Sequence, residues 1–159
     1  MLAGKRIEVR CWSQGEWPRV VGEWGAYIGT EDIGAFAHPL DDRASLAPET
    51  CERLVALSYR RERPARGDEL DETAYAVGIL AHETNHLISP VSSEAETECY
   101  GMQEIRRVAR LLGASPRYGA MLAEHYWLEL YQEAPAEYRS GECVNGGALD
   151  GAPASDIWP

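Results

Sequence analysis

No run of apolar residues in this chain approaches the roughly 20 that a helix needs to cross a bilayer, and the start MLAGKRIEVR has no hydrophobic signal core. Basic residues are also scarce. Fifteen Lys and Arg against 26 Asp and Glu leave a formal net charge of -11, which argues against nucleic acid or an anionic membrane face as a partner, since both need a basic footprint. The four cysteines, Cys11, Cys51, Cys99 and Cys143, lie far apart and include no C-x-x-C spacing, which excludes a zinc knuckle and a dithiol redox motif. They are expected to be buried and structural, as two disulfides in an exported protein or as four apolar thiols in a reducing compartment. A native start at Met1 implies a cytoplasmic protein, and a truncated precursor implies an exported one. There are no internal repeats.

With 159 residues, 45% of them hydrophobic, residues 1–159 are expected to form one domain around one core. Ile7, Val9 and Cys11 alternate with polar residues and predict a half-buried strand over Arg6 to Cys11. Ser13 and Glu16 then have the spacing of a capping box opening a short helix that Gly25 ends, with Trp17, Val21 and Trp24 on one side. Ile33 to His38 and Arg43 to Ala47, separated by P-L-D-D, read as a hairpin. Pro48 begins a helix carrying Cys51, Leu54, Val55 and Tyr59 at helical spacing. A charged loop precedes a longer helix that starts at Asp68 or Asp71, runs through Leu87 and is stopped by Ser89-Pro90. Ser93 and Glu96 open the next helix, which Gly113 closes, and a last helix spans about Pro116 to Tyr131. Beyond Pro135 the chain has no helical period and is expected to wrap the surface. The sum is α+β, with a small antiparallel sheet packed on helices. Trp12, Trp17, Trp24 and Trp127 are read as core, and His38, beside Pro39, as a turn residue.

The chemistry concentrates in Ala81 to Leu87, A-H-E-T-N-H-L, which contains H-E-x-x-H inside a segment already read as helical. Residues four apart on a helix share a face, so His82 and His86 can offer two imidazole nitrogens to one zinc ion. Glu83, one step around, can reach a zinc-bound water as general base. Zinc in a catalytic site needs a third protein ligand, and no third histidine follows nearby. The next helix brings Glu94, Glu96 and Glu98 instead. Glu96 is the capping-box partner of Ser93, whereas Glu94 and Glu98 share a face. Glu94 in the first turn can reach the metal while Glu98 bonds the outer nitrogen of a ligand histidine and fixes its tautomer. The reverse assignment, with Glu98 on zinc, stays open.

These residues resemble the glutamate zincins, thermolysin among them, in which the third ligand is a glutamate of a later helix in an E-x-x-x-D arrangement. Here Glu94-Ala95-Glu96-Thr97-Glu98 has glutamate in place of that aspartate, and His86 is closer in sequence to Glu94 than its counterpart in thermolysin. The run from H-E-T-N-H through E-A-E-T-E-C-Y, with E-C-V-N-G-G-A-L-D and the terminal W-P, is also similar to small uncharacterised bacterial proteins carrying H-E-x-x-H and E-A-x-x-E-C. The resemblance implies a zincin-like fold, with a glutamate helix following the H-E-x-x-H helix. It further implies a zinc-dependent metallopeptidase acting on a peptide or protein substrate. It also implies an oxyanion donor, for which His125 or Tyr126 is the candidate, and a substrate-binding edge strand, for which Ile33 to Ala37 is the candidate. A different class of reading is a zinc-binding regulatory or binding protein without turnover, although a metal that only staples a fold has no use for a base such as Glu83 beside it.

Two helix imidazoles and a carboxylate match the ligand preferences of zinc, so the purified protein is expected to retain about one zinc per chain after dialysis. Elemental analysis checks this, and a chain that neither carries zinc nor takes it up from buffer ends the metalloprotein reading.

Overall fold

The computed structural model describes residues 6–28, 34–59, 66–89 and 92–159, with the backbone alone for 24–28. The elements in chain order are β1 (Glu8–Cys11), α1 (Trp17–Ile28), β2 (Ala35–His38), β3 (Arg43–Leu46), α2 (Pro48–Tyr59), α3 (Asp68–Ile88), α4 (Glu94–Leu111) and α5 (Pro116–His125). A π-helical turn, Tyr126–Leu130, and a last α turn, α6 (Tyr131–Glu133), continue α5, and a 3-10 turn follows at Ala136–Tyr138. The class is α+β, as the sequence implies. No helix among the described residues is long and apolar enough to cross a membrane.

The three strands form a mixed sheet in the order β1-β3-β2, with β1 parallel and β2 antiparallel to β3. This corrects the expected antiparallel sheet. The hairpin β2-β3 is antiparallel because the turn at Pro39 to Asp42, with Asp42 at φ 50°, reverses the chain. In chain order α1 leads from β1 to β2, which runs opposite to β1 at the far edge, and the hairpin then returns β3 between them, parallel to β1. Nor is β1 half-buried: all four of its residues are exposed, Cys11 included, so a period of two was present without a core to face. Ser13 and Glu16 do pair at the start of α1, the Glu16 carboxylate accepting from the Ser13 hydroxyl at 2.6 Å. The helix nevertheless runs through Gly25 to Ile28, since one glycine costs a helix only about 1 kcal/mol. Ile33 and the side chain of Trp24 lie outside the description.

The core lies around α3, which packs on α4, α2, α5 and the sheet. Asp68, Glu69 and Asp71 in its first turn suit the positive end of the helix dipole. Small residues then follow, with Ala74, Ala76, Gly78 and Ala81 all buried, so neighbours can approach its backbone on several sides. A Cβ at Gly101 of α4 would stand 3.0 Å from the backbone N and Cα of His82, so the absence of one sets the α3–α4 spacing. At the start of α4 the Ser93–Glu96 capping box is complete. At its end Gly113, φ 98°, donates to Arg110 O while Ala114 donates to Ala109 O, a Schellman closure. On α2, Cys51, Leu54 and Leu57 face inward, whereas Val55 and Tyr59 are exposed. Trp12, Trp17 and Trp127 are half-buried rather than interior. Trp17 stacks on Phe36, and Trp127 on Tyr131.

Two disulfides pair all four cysteines, Cys11–Cys51 and Cys99–Cys143. The second ties the irregular tail to α4, where Gln103 also donates to Leu149 O at 2.9 Å and Arg106 Nε donates to Pro159 O at 2.5 Å. The tail therefore has fixed partners along one helix. The paired cysteines are 40 and 44 residues apart, so each bond removes loop entropy from the unfolded chain worth up to about 4 kcal/mol. The unreduced, denatured protein is expected to show no titratable thiol, and replacing Cys99 and Cys143 together with alanine is expected to lower unfolding free energy by about 2–4 kcal/mol. Thiol titration and urea denaturation measure the two quantities. Free thiols in the denatured protein, or peptides joined in another pairing, contradict this connectivity.

Candidate metal centre

His82, Glu83 and His86 occupy the penultimate turns of α3, while Glu94 and Glu98 occupy the first two turns of α4. Seven residues join His86 to Glu94, so the chain reverses sharply and α4 lies back against α3. The capping box decides which glutamate points where. Glu96 folds back to accept from the backbone N–H of Ser93 at 2.9 Å and from its hydroxyl at 3.0 Å. Glu94 and Glu98 consequently share the face turned to α3.

Glu94 Oε2 lies 3.1 Å from His82 Nε2 and 3.3 Å from His86 Nε2, and the two Nε2 atoms are 2.9 Å apart. Three donor atoms therefore form a triangle with edges of 2.9 to 3.3 Å. Zinc bound tetrahedrally at about 2.0–2.2 Å separates its ligand atoms by about 3.4 Å, so this triangle needs only a small expansion to hold one. The donor set of two imidazoles and one carboxylate fits zinc as well. Among the described residues these three are the ones whose His, Cys, Asp or Glu donor atoms converge in this way.

Behind the triangle, Glu98 Oε2 is 2.7 Å from His82 Nδ1. With a cation in the triangle, a proton kept on Nδ1 and donated to Glu98 would leave the Nε2 lone pair for the ion. The other oxygen of Glu98 accepts from the Tyr126 hydroxyl at 2.5 Å. Burial opposes charge on His82, but the hydrogen bonds to Glu94 and Glu98 prevail and push its pKa up to about 10. Bonds from His82 and His86 hold Glu94 well below the usual carboxylate range. Both effects describe one property: the site favours positive charge between its carboxylates.

Glu83 differs from these neighbours. It is 9% exposed, burial pushes its carboxyl above the ordinary value, and the backbone N–H of Ala37 in β2 donates to it. The same cleft, ≈ 1030 Å³, is lined by Glu83, by the three donor residues and by Ala35 and Ala37 of β2. β2 is an edge strand with no second strand partner among the described residues. Ala47 donates to Gly34 O, so in this register the backbone groups of Ala35 and Ala37 point away from β3 toward the free edge.

The structure does not bring His125 to the cleft. The last helix turns its Nε2 to Asp71 Oδ1 at the start of α3, 2.6 Å away, so the residue ties two helices together. Tyr126 does reach the centre, but its hydroxyl is engaged by Glu98 on the side of His82 away from the triangle. The residue that sequence reasoning missed is Tyr138. It lines the cleft from the 3-10 turn, its ring centroid 5.8 Å from that of His82. Burial, with Glu94 and Glu83 nearby, raises its pKa and keeps the phenol protonated. Nothing in E-Y-R-S signals such a role; only the tie of Cys143 to Cys99, five residues beyond Glu94, returns this segment to the site. His38 ends β2, buried, with Nε2 2.9 Å from Ser45 Oγ and outside the donor triangle.

No family model, no curated protein and no solved structure matches this chain.

The geometry ranks the three glutamates of α4 by their effect on zinc affinity. Glu94→Ala is expected to weaken binding most, because it removes a donor atom of the triangle. Glu98→Ala should cost about 10- to 100-fold through the orientation of His82. Glu96→Ala should leave zinc affinity unchanged and lower stability slightly through the lost half of the capping box. Competition with a chromophoric chelator gives the order, and loss of metal from Glu98→Ala with retention by Glu94→Ala reverses the assignment.

Proposed function

We propose that this chain is a zinc-dependent peptide hydrolase, with zinc held by His82, His86 and Glu94 and with Glu83 as general base. The observation that carries the reading is the convergence of the donor triangle with a separate buried carboxylate in one cleft beside an open strand edge. A zinc ion held there supplies an acidified water and a positive charge beside a substrate carbonyl. Glu83 takes the proton of the attacking water and returns it to the leaving amine. Its burial makes it a stronger base than a solvated glutamate, and the Ala37 N–H keeps it directed. The protonated phenol of Tyr138 is the group placed to donate to the developing oxyanion, a role His125 cannot fill from its position beside Asp71.

The cleft also supports a peptide as substrate. An extended chain lying along β2 can pair with the free backbone groups of Ala35 and with the carbonyl of Ala37, whose N–H serves Glu83. Apolar Phe36, Ile79 and Leu130 are available for side chains. A zinc protein without turnover would have no need of this open groove or of a buried base at its edge, so the hydrolytic reading is preferred over a regulatory one.

Glu83→Gln keeps the shape of the side chain and removes the base, so zinc content is expected to stay near that of the parent while peptide hydrolysis falls by at least about 100-fold. Tyr138→Phe is expected to lower kcat by about 100-fold or more with KM little changed, the signature of a donor used only in the transition state. An unbiased peptide library resolved by mass spectrometry supplies the substrate. Full activity in Glu83→Gln, or no cleavage of any peptide by the zinc-loaded parent, defeats the proposal.

A further inference from the structure

A line of buried polar atoms runs from His82 on the side of the ring opposite the donor triangle. His82 Nδ1 meets Glu98 Oε2 at 2.7 Å, and Glu98 Oε1 accepts from the Tyr126 hydroxyl at 2.5 Å. Glu98 and Tyr126 are each 6% exposed. Three local features, each unfavourable alone, cooperate to bring this hydroxyl in. Gly78 sits inside α3, where alanine would favour the helix by about 1 kcal/mol. A Cβ there would collide with Cε2 of the Tyr126 ring. The helix also leaves α geometry at Tyr126 and takes one π-helical turn through Leu130, a less favourable backbone form found mostly at functional sites. Finally, a phenol and a carboxylate are buried where a phenylalanine would fill the same space without polar burial. The hydroxyl, not the ring alone, is what this arrangement serves.

We propose that Tyr126 is a positioning residue for the metal: it locks the carboxylate plane of Glu98, which in turn sets the ring orientation and tautomer of His82. The inference rests on the zinc reading of the site. A glutamate carboxylate turns easily about its last bond, since that torsion has a broad minimum. With Tyr126 on one oxygen and His82 on the other, both acceptor positions are committed and the rotation is arrested. Without the hydroxyl, Oε1 is a buried acceptor lacking its donor, and the carboxylate swings toward another partner at the expense of the Nδ1 bond. His82 then loses the constraint that aims Nε2 at the cation. Tyr126 is not one of the three donor residues and its hydroxyl bonds Glu98, so its effect on the metal passes through Glu98.

The test is a cycle of zinc affinities measured by chelator competition on the parent, Tyr126→Phe, Glu98→Ala and the double variant, with visible absorption of the Co2+-loaded proteins alongside. Tyr126→Phe is expected to weaken zinc several-fold, less than the about 10- to 100-fold for Glu98→Ala, and to alter the Co2+ bands. The double variant should bind no more weakly than Glu98→Ala alone, because Tyr126 has nothing left to act through. A parent-like affinity in Tyr126→Phe, or losses that multiply in the double variant, overturns the proposal. If Tyr126→Phe does not fold, 3-fluorotyrosine at position 126 keeps the ring and hydroxyl while changing donor strength, and unchanged Co2+ bands overturn the proposal equally. A parent that binds no zinc removes the zinc reading and this role with it, whereas zinc-binding parent and Tyr126→Phe proteins of equal affinity remove this role alone.

Discussion

The approach of α4 onto the backbone of α3 at His82 is the contact on which the rest of the centre depends. Gly101 permits it, since any side chain there would meet the His82 backbone at 3.0 Å. Ala81, Cys99 and Met102 of the two helices are buried in the core beside this contact. Glutamates one turn apart on α4 reach both sides of the His82 ring. Glu94 meets Nε2 and Glu98 meets Nδ1, so one imidazole is held between two carboxylates at 3.1 and 2.7 Å. A wider helix pair would have placed water there and left the ring free to turn.

Such a centre is expensive to bury unless every polar atom has a partner. The connected set runs from Tyr126 through Glu98 and His82 to Glu94 and His86, with polar contacts of 2.5 to 3.3 Å. Its members lie on three helices. The hydrogen bonds to Glu94 and Glu98 raise His82 against the effect of its burial, and the bonds from His82 and His86 lower Glu94, so the fold stabilises positive charge between the carboxylates. Glu83 stands apart from this set, held by the strand instead of by the histidines, and that separation lets one pair of helix turns provide both a cation site and a base.

The walls of the cleft come from distant parts of the chain. β2 supplies one wall and the segment from Tyr126 to Tyr138 the other. The second wall is held from behind, where Cys99–Cys143 and the bonds of Gln103 and Arg106 anchor the tail along α4. The same helix thus presents Glu94 and Glu98 to α3 and fixes the tail that carries Tyr138 over the cleft.

Local rules made much of this legible in the sequence. The i, i+4 spacing of His82 and His86, the Ser93–Glu96 box and the shared face of Glu94 and Glu98 depend only on helix geometry and capping within a few residues, and so did the β2-β3 hairpin and the stop at Gly113. What the sequence could not specify was anything requiring two distant segments to meet. The parallel placement of β1 depends on the path of α1, and the cysteine pairing on which of three connectivities the fold brings together. His125 goes to Asp71, Tyr126 to Glu98 and Tyr138 to the cleft through contacts between segments far apart in sequence, the last beside a tail tied back by a disulfide. Helical spacing says which residues share a face; only the packed structure decides what that face meets.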